Sequence, residues 1–277
     1  MKIIRNILLY LLCALLVLIL AFNIWGAVTL GKIVPATAPE LNTKANQVVM
    51  VFGATGSVGD GLLKAAIEDP AVEKVYVVTR STSKRIEEGV ATGKVQKILQ
   101  QDFTDYSNLG DILGQVNTVL WGLGTSSLNV DDDTYTRIHV DYPVAFVNAW
   151  LSARQSGPMS FHYVTGMGTD ANGEQHWARE KGRAENELAT MAAAGDLRTF
   201  AYRSAFVRPT SEQSNTMHYI AAALLRPGAL VIPADALGDA MLEISARTQE
   251  LPNGTLIDNA DSIAYAQAYQ ARQTERQ

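Results

Sequence analysis

The fold is decided by one stretch of the chain, Val48-Val49-Met50-Val51-Phe52-Gly53-Ala54-Thr55-Gly56-Ser57-Val58-Gly59. Its five leading apolar residues predict a strand that is buried on both faces, as in a parallel sheet. Beyond Gly59, apolar side chains recur at helical spacing, at positions 62, 63, 66 and 67. The three glycines therefore lie at a strand-to-helix turn.

The glycines in this turn are spaced Gly-x-x-Gly-x-x-Gly. The first permits a tight turn, the second lets the backbone come close to a pyrophosphate, and the third lets helix and strand pack closely. Free N–H groups and the positive end of the helix dipole would attract the phosphates. The alternative is a glycine-rich turn that binds no ligand. We predict that the turn binds a dinucleotide through Gly53, Thr55, Gly56, Ser57, Val58 and Gly59.

The cofactor preference is indicated by Arg80, at the end of the second predicted strand and 21 residues after Gly59. An enzyme that uses NAD usually carries an acidic residue at this point, which binds the 2′-hydroxyl of the ribose. An arginine fork suits a 2′-phosphate instead. The residues therefore favour NADP(H) over NAD(H), although Arg80 and the nearby Lys84 and Arg85 could also be a solvated group of cations.

The rest of the chain alternates strands and helices. Further strands are predicted at 95–100, 118–121, 161–164 and 198–203, and long helices at 134–154 and 178–194. This alternation is typical of an α/β fold with a doubly wound parallel sheet, the Rossmann fold. Ligands of such sheets bind beyond the carboxyl ends of the strands. We assign residues 48–209 to this domain, and residues 210–277, where three helices are predicted, to a small helical C-terminal lobe.

The N-terminus predicts a membrane anchor. Residues 7–22 are all apolar and the apolar character continues to Leu30, which is long enough to cross a bilayer as a helix. Lys2 and Arg5 precede this segment, and Trp25 suits a membrane interface. A cleaved signal peptide is the alternative, but its apolar region should be shorter. We assign residues 1–30 to a single-pass anchor, in contact with the membrane through 7–30, and 31–47 to a linker.

The side of the membrane is harder to predict, because two basic residues lie close to each end of the apolar segment. Reduced nicotinamide is mostly an intracellular resource, which favours the cytoplasmic side for the domain. The chain carries 23 Lys and Arg against 28 Asp and Glu, so nucleic acid is not an expected partner. Its single cysteine lies in the apolar segment and its four histidines lack metal-ligand spacing, so no metal is expected.

A family resemblance emerges from the order of several motifs: the glycine turn, Arg80, Asp102-Phe103, Leu123-Gly124-Thr125, Val140-Asp141 and Lys181-Gly182-x-x-Glu185. This order resembles the atypical branch of the short-chain dehydrogenase/reductases, in particular Tat-interacting-protein-like oxidoreductases and NAD-dependent epimerase-like proteins. The resemblance covers roughly 48–261. It implies that Asp102 and Phe103 flank the adenine, that Gly122, Leu123 and Gly124 pass beside the cofactor, and that Lys181 holds the nicotinamide ribose.

The chain departs from this family where the family has a Tyr-x-x-x-Lys pair. The lysine is Lys181, but the position one helical turn before it is Trp177, and an indole cannot serve as a general acid near neutral pH. The family's serine corresponds to Thr165, which still supplies a hydroxyl. We therefore predict Lys181 and Thr165 as the catalytic residues, with His176, taken as the imidazole nearest the site, as an alternative proton donor.

Two functions fit this pattern. The first is an NADP-dependent oxidoreductase that acts on a small-molecule or lipid-like carbonyl substrate. The second is a non-catalytic NADP(H)-binding sensor or scaffold at the membrane, which Trp177 favours. The glycine turn is compatible with both.

Overall fold

The computed structural model describes residues 2–154, 156–193 and 195–275. Its strands are β1 (Val48–Phe52), β2 (Lys74–Thr79), β3 (Val95–Leu99), β4 (Thr118–Trp121), β5 (Met159–Val164), β6 (Leu197–Arg203), β7 (Phe206–Arg208), β8 (Val231–Pro233) and β9 (Thr255–Asp258). Its helices are α1 (Lys2–Thr29), α2 (Ser57–Glu68), α3 (Lys84–Ala91), α4 (Gly110–Leu113), α5 (Asp132–Thr136), α6 (Tyr142–Ala153), α7 (His176–Ala192), α8 (Thr216–Leu225), α9 (Ala234–Ala246) and α10 (Asn259–Glu275).

The main sheet has seven strands in the order β3-β2-β1-β4-β5-β6-β9, and every neighbouring pair is parallel. Strands β2 and β3 follow one another on one side of β1, and β4 lies on the other side of β1. The strand order therefore reverses between β1 and β4, and a crevice opens at that point of the sheet. The predicted Rossmann-type α/β fold is confirmed.

The core follows from the alternation of side chains along the strands. In β1, Val49 and Val51 lie on the face that α2 and α9 cover, whereas Met50 and Phe52 lie on the face that α6 covers. All four side chains are fully buried, which explains the uninterrupted apolar run in this strand.

The C-terminal segment contains the three predicted helices and also a strand that the sequence did not predict. Helices α8, α9 and α10 are present, but β9 adds the seventh strand to the main sheet and α9 packs on α2. A four-residue strand carries too little periodicity to be recognised in the sequence. Part of the C-terminal segment therefore belongs to the α/β domain itself. Met1, Arg276 and Gln277, at the ends of the predicted anchor and lobe, lie outside the described residues.

The predicted linker, 31–47, contains no helix or strand, but it is bonded to the domain along its length. The amides of Lys32 and Ile33 donate to one carboxylate oxygen of Asp261, at 2.8 Å each, and the amide of Asn42 donates to Ala246. Helix α1 therefore leads into a segment that is fixed on the domain. Within the described residues, one helix is long and apolar enough to cross a membrane, Ile3–Thr29.

A buried hydrogen-bond chain joins the sheet to α9. Ser245 Oγ lies 2.7 Å from Nε2 of His162, and Nδ1 of His162 lies 2.7 Å from the hydroxyl of Tyr202. All three side chains are inaccessible to solvent, so the arrangement cannot reach a substrate and its role is structural. Burial holds the pKa of His162 well below its usual value, so the imidazole is neutral.

We predict that His162 makes folding stability depend on pH. The unfolded chain binds a proton at His162 near the usual pKa of about 6.5, whereas the folded chain does not, so stability should fall as pH drops below about 6.5. The contribution of His162 to this slope is at most about 1.4 kcal/mol per pH unit. Guanidinium unfolding of the full chain in detergent, between mildly acidic and neutral pH, measures it.

The variant His162→Gln should lose this part of the slope. The control Ser245→Ala removes a bonding partner but no titrating group, so it should cost roughly 1–3 kcal/mol at every pH and keep the slope. A slope in His162→Gln equal to that of the unsubstituted protein contradicts the prediction.

Candidate functional site

The glycine turn brings α2 against the ends of β1 and β4. Gly53 has a positive φ of 76°, and a Cβ on it would collide with the backbone of Gly122. A Cβ on Gly59 would overlap the carbonyl oxygen of Gly53. These two glycines are therefore required by the close packing of the turn itself.

Gly56 has a different role, because it faces open space. Its backbone is extended, with φ −92° and ψ 165°, and a Cβ on it would meet only the carbonyl oxygen of Gly53, at 3.4 Å. It is the N-cap of α2, and no side chain caps this terminus. The first N–H groups of α2 thus remain available at a surface formed by Gly56, Ser57 and Val58, which suits a phosphate.

A cavity of about 440 Å³ begins at this helix terminus and extends over the ends of β4, β5 and β6. Besides the three residues of the turn, it is lined by Gly122, Leu123, Gly124, Thr125, Ser126, His139, Val164, Thr165, Gly166, Lys181, Ser204, Ala205 and Val207. A larger groove of about 570 Å³, between residues 35–41 and α10, holds none of the predicted site residues.

Three polar atoms, each on a residue that lines the 440 Å³ cavity, are closed to solvent and have no hydrogen-bond partner among the described residues. They are Nδ1 of His139, Oγ1 of Thr165 and Oγ of Ser204. Buried polar groups are nearly always paired in folded proteins, so each unpaired atom calls for an explanation. A bound dinucleotide or substrate would supply the missing partners once these side chains rotate toward the cavity.

Lys181 extends from α7 into the same cavity, and its ammonium group donates to the carbonyl oxygen of Thr165. Burial lowers the pKa of Lys181 to about 8, and the nearby carboxylate of Glu185 offsets part of this effect. An ammonium group with this pKa is mostly protonated at neutral pH and can still release its proton. Lys181 and Thr165 therefore meet at one point, beside Gly122 and Gly124.

The remaining residues of the Lys-Gly-x-x-Glu motif hold α7 in place. A Cβ on Gly182 would collide with the backbone of Ala171, so only glycine lets α7 approach that loop. Glu185 is buried and forms two hydrogen bonds with the guanidinium of Arg203 at the end of β6, at 2.6 and 3.2 Å. The motif thus fixes the helix that carries Lys181 against two neighbouring parts of the cavity wall.

Trp177, at the position of the family's tyrosine, does not line the cavity. Its indole N–H donates to the side chain of Gln175, and its ring packs against Gly168 in the loop after β5. The tyrosine position is thus taken by a side chain that supports a loop and brings no acid to the site.

The histidine of the cavity is His139 rather than His176, which corrects the sequence-based expectation. His176 lies outside the cavity, with Nε2 3.2 Å from the hydroxyl of Thr136. His139 stands on a π-helical turn, Arg137–Asp141, with Nε2 3.0 Å from the carbonyl oxygen of Thr125. Burial, and secondarily the charge of Lys181, lowers the pKa of His139 to about 3, so the ring is neutral.

The cations after β2 are not equivalent. Arg85 forms a bidentate pair with the buried carboxylate of Asp60, at 2.9 and 3.1 Å, and Thr210 donates to the same carboxylate. Lys84 pairs with Glu88 at 3.6 Å. The exposed side chain of Arg80 forms no hydrogen bond or ion pair with any residue in the described ranges. Among these cations, Arg80 is therefore the one that remains available to a ligand. Asp60, which the sequence pattern did not single out, positions Arg85.

Asp102 and Phe103 have different surroundings in the structure: one side chain is exposed and the other is buried. The ring of Phe103 is buried in the core, stacked on Tyr142 at 5.5 Å between ring centroids. Asp102 stays exposed and accepts hydrogen bonds from the amide and hydroxyl of Thr104. Phe103 thus anchors the loop after β3 in the core, and Asp102 is the residue of the pair that solvent reaches. In the part of the chain that the structure describes, no cluster of three or more His, Cys, Asp or Glu residues could hold a metal ion.

Known structures share this fold at low sequence identity. A 3-oxoacyl-[acyl-carrier protein] reductase from Brucella melitensis has a TM-score of 0.61 at 15% identity, with 79% of this chain and 97% of the reductase covered. A Pseudomonas syringae protein assigned as a short chain dehydrogenase has a TM-score of 0.59 at 16% identity, with 83% and 100% covered. RhlG from Pseudomonas aeruginosa, in an NADP active-site complex, has a TM-score of 0.58 at 14% identity, with 79% and 96% covered.

No family model and no curated protein matches the sequence of the chain. The structural similarity is therefore to the fold of the short-chain dehydrogenase/reductases, and at these identities it concerns the fold alone.

We predict that Gly56→Val weakens dinucleotide binding and leaves the fold intact. Valine adopts the extended backbone of this position, but its side chain would occupy the space where a pyrophosphate approaches α2. The affinity for NADPH, measured by calorimetric titration, should fall at least tenfold, or about 1.4 kcal/mol. The control Gly59→Ala should instead lower the unfolding midpoint, because its Cβ overlaps the carbonyl of Gly53. Unchanged NADPH affinity in Gly56→Val would exclude this turn as the phosphate site.

Proposed function

We propose that the protein is a membrane-anchored, NADP(H)-dependent oxidoreductase of the short-chain dehydrogenase/reductase type that reduces a carbonyl compound. The observation that carries the proposal is the meeting of two features in one cavity. The uncapped N-terminus of α2 forms one end, and the half-buried Lys181 beside Thr165 forms the other. The first suits the phosphates of a dinucleotide, and the second suits a reacting carbonyl group.

The finer assignment to the atypical branch rests on motif order. In this chain Lys181, Gly182 and Glu185 of the Lys-Gly-x-x-Glu motif each make a specific contact, as described above. The neighbouring Tyr202-Arg203-Ser204-Ala205 stands where the family has Phe-Arg-Pro-Gly, and here Arg203 pairs with Glu185. The arginine of that motif is thus kept, and Ser204, a residue of the cavity lining, has an unpaired hydroxyl that is closed to solvent.

When bound, NADPH would supply the hydride that reduces the carbonyl carbon. The chain must then supply one proton to the carbonyl oxygen and orient the substrate. Thr165 Oγ1 is unpaired but closed to solvent, so rotation of its side chain toward the cavity would let it donate a hydrogen bond to that oxygen. Lys181 lies beside it and can transfer the proton, after which its neutral amine regains a proton from water. Ketone or aldehyde, hydride and proton together give the alcohol.

The preference for NADP(H) rests on Arg80. No acid stands at the end of β2, and the free guanidinium there can form a bidentate pair with a 2′-phosphate. Because Asp60 engages Arg85, the two arginines would not act together. The shared fold gives no preference of its own, because Pseudomonas aeruginosa RhlG is seen in a complex with NADP and the Brucella melitensis 3-oxoacyl-[acyl-carrier protein] reductase in a complex with NAD.

The membrane anchor is supported by the way α1 joins the domain. Most of α1 is exposed, but the side chain of Asn23 is buried and bonds with the carbonyl of Leu224 and the amide of Gly228, at 2.8 and 2.7 Å. Removal of α1 as a signal sequence would break both bonds and expose the turn Arg226–Gly228, which α1 covers. The bonds therefore favour a retained anchor over a cleaved signal. We propose the cytoplasmic side for the domain, where reduced nicotinamide is available.

A second function, a non-catalytic NADP(H) sensor or scaffold at the membrane, is favoured by one observation. Trp177 removes the family's acid and packs on the loop after β5, so the site could bind cofactor without efficient turnover.

We predict that the full chain binds NADPH more tightly than NADH, and that Arg80→Ala removes the difference. A charge-assisted pair of this kind is worth about 1.5–3 kcal/mol, or roughly 10- to 100-fold in affinity. Titration of both cofactors into each protein measures it. The control Lys84→Ala, at a neighbouring exposed cation, should leave the ratio unchanged. Equal affinities of the unsubstituted protein for the two cofactors would contradict the assignment to NADP(H).

We predict that Lys181 gives carbonyl reduction its pH dependence. Reduction needs the protonated ammonium, so kcat should be constant below the pKa of about 8 and fall about tenfold per pH unit above it. Lys181→Arg keeps a cation near the cofactor but cannot release a proton, so kcat should fall by about 10²–10⁴ while NADPH still binds. The pH profile of kcat tests this, and equal profiles in the two proteins would rule out Lys181 as the acid.

We predict that Trp177→Tyr raises carbonyl-reductase turnover at least tenfold, because a tyrosine ring that turns away from Gly168 toward the cavity would place a hydroxyl one helical turn from Lys181. The control Trp177→Phe has the same ring without the hydroxyl and should show no gain. Measurement of kcat for both variants at saturating NADPH separates the two functions. No turnover in any of the three proteins, with intact NADPH binding, would favour the sensor over the oxidoreductase.

A further inference from the structure

Helix α8 presents an apolar face that nothing in the described chain covers. Met217, Ile220 and Leu224 lie on one side of the helix at a spacing of three and four residues, with 67%, 47% and 41% of their surface exposed. No residue of α8 is fully buried, and none from Thr216 to Leu225 carries an acidic, lysine or arginine side chain. A surface helix of a soluble protein normally carries its charges on the face that α8 leaves apolar.

This face lies next to the end of the proposed membrane span. The carbonyl of Leu224 accepts a hydrogen bond from Asn23, and the turn that follows α8, Arg226–Gly228, packs directly on α1. Gly26 is required there, because a Cβ on it would collide with the carbonyl of Gly228. Helix α8 therefore cannot move away from α1 without breaking buried bonds.

The position of this junction along α1 can be compared with the thickness of a bilayer. A hydrocarbon core of about 30 Å takes about 20 helical residues. Counted from Arg5, the last charged side chain before the apolar run, these residues end near Trp25. Asn23 and Gly26, which hold α8, thus lie at the boundary between the hydrocarbon core and the headgroups.

The opposite face of α8 contacts β7, which borders the candidate site. The guanidinium of Arg208, the last residue of β7, lies over the ring of Tyr219, 5.1 Å from the ring centroid. Val207, the residue before it, lines the cavity that contains Lys181. One layer of structure therefore separates the apolar face of α8 from the wall of the candidate site.

We propose that the apolar face of α8 inserts into the interfacial layer of the bilayer that α1 spans, so that the cavity takes its carbonyl substrate from the membrane. The substrate class is an amphipathic lipid whose carbonyl group enters beside β7. This inference rests on the proposed function, because it requires both the anchor and the oxidoreductase site. The occupant of the α8 face is the lipid surface, because α8 is fixed at the boundary of the span and carries apolar side chains without charge.

The test of insertion uses the full chain in phosphatidylcholine vesicles, with Cys13→Ser as background so that each variant has one cysteine. An environment-sensitive fluorophore is attached at Met217→Cys or Ile220→Cys. Leu99→Cys is the matched control, because Leu99 is exposed to 63% on β3, at the edge of the sheet opposite β9. Leu16→Cys, within α1, reports on the anchor itself. Quenching by lipids with brominated acyl chains is measured.

Labels at 217 and 220 should lose about half of their fluorescence or more, because the face of an inserted interfacial helix lies about 5–10 Å deep. The label at 99 should keep its fluorescence, and the label at 16 should be quenched. Quenching at 16 without quenching at 217 and 220 overturns the inference and leaves the anchor intact. No quenching at 16 overturns the anchor and the inference together. Protection of 217 and 220 from aqueous iodide without lipid quenching also overturns it, because a protein would then cover α8.

The substrate class is tested by kinetics with a long-chain aldehyde in the vesicles and a short water-soluble aldehyde. The double variant Met217→Glu, Ile220→Glu should lose at least tenfold in kcat/KM for the vesicle-borne aldehyde, with unchanged kcat/KM for the soluble one. Equal effects on the two aldehydes overturn entry from the membrane. Turnover of neither aldehyde by the unsubstituted protein contradicts the proposed oxidoreductase and with it the lipid substrate, whatever the quenching result.

Discussion

The close approach of α2 to the end of β1 is the contact on which the rest of the structure depends. Gly59 leaves no room for a side chain against the carbonyl of Gly53, and Gly53 leaves none against Gly122, which directly follows β4. The N-terminus of α2 is thereby held between β1 and β4, where the strand order of the sheet reverses. The unpaired N–H groups of the helix and the ends of four strands consequently face one cavity.

The parts of the fold that are encoded locally could be predicted from the sequence. The apolar run of β1 and the spacing of its glycines each lie within a dozen residues, so they predict the parallel sheet and the tight turn into α2 that the structure contains. Contacts between distant residues could not be predicted. Nothing in the sequence near Arg85 shows that Asp60 engages it, and only the packed helices reveal that His139 reaches the cavity while His176 does not. Strand β9 is too short to leave a pattern.

The chemistry of the candidate site depends on burial more than on residue identity. On the surface, Lys181 would be an ordinary solvated cation, but inside the cavity its pKa falls to about 8, within the range of a useful acid. Glu185 limits this fall and also secures Arg203, so one carboxylate both positions α7 and sets the charge balance around Lys181. In the proposed function this proton comes from Lys181, because Trp177 brings no acid to the site.

The central claim is that the glycine turn and Lys181 belong to one cofactor site, and a structure of the full chain with NADPH tests it most directly. The account predicts the pyrophosphate on the amides of Ser57 and Val58, the 2′-phosphate on Arg80, and the nicotinamide beside Thr165 and Lys181. A pyrophosphate bound away from α2, or a nicotinamide that does not reach Lys181, would contradict it.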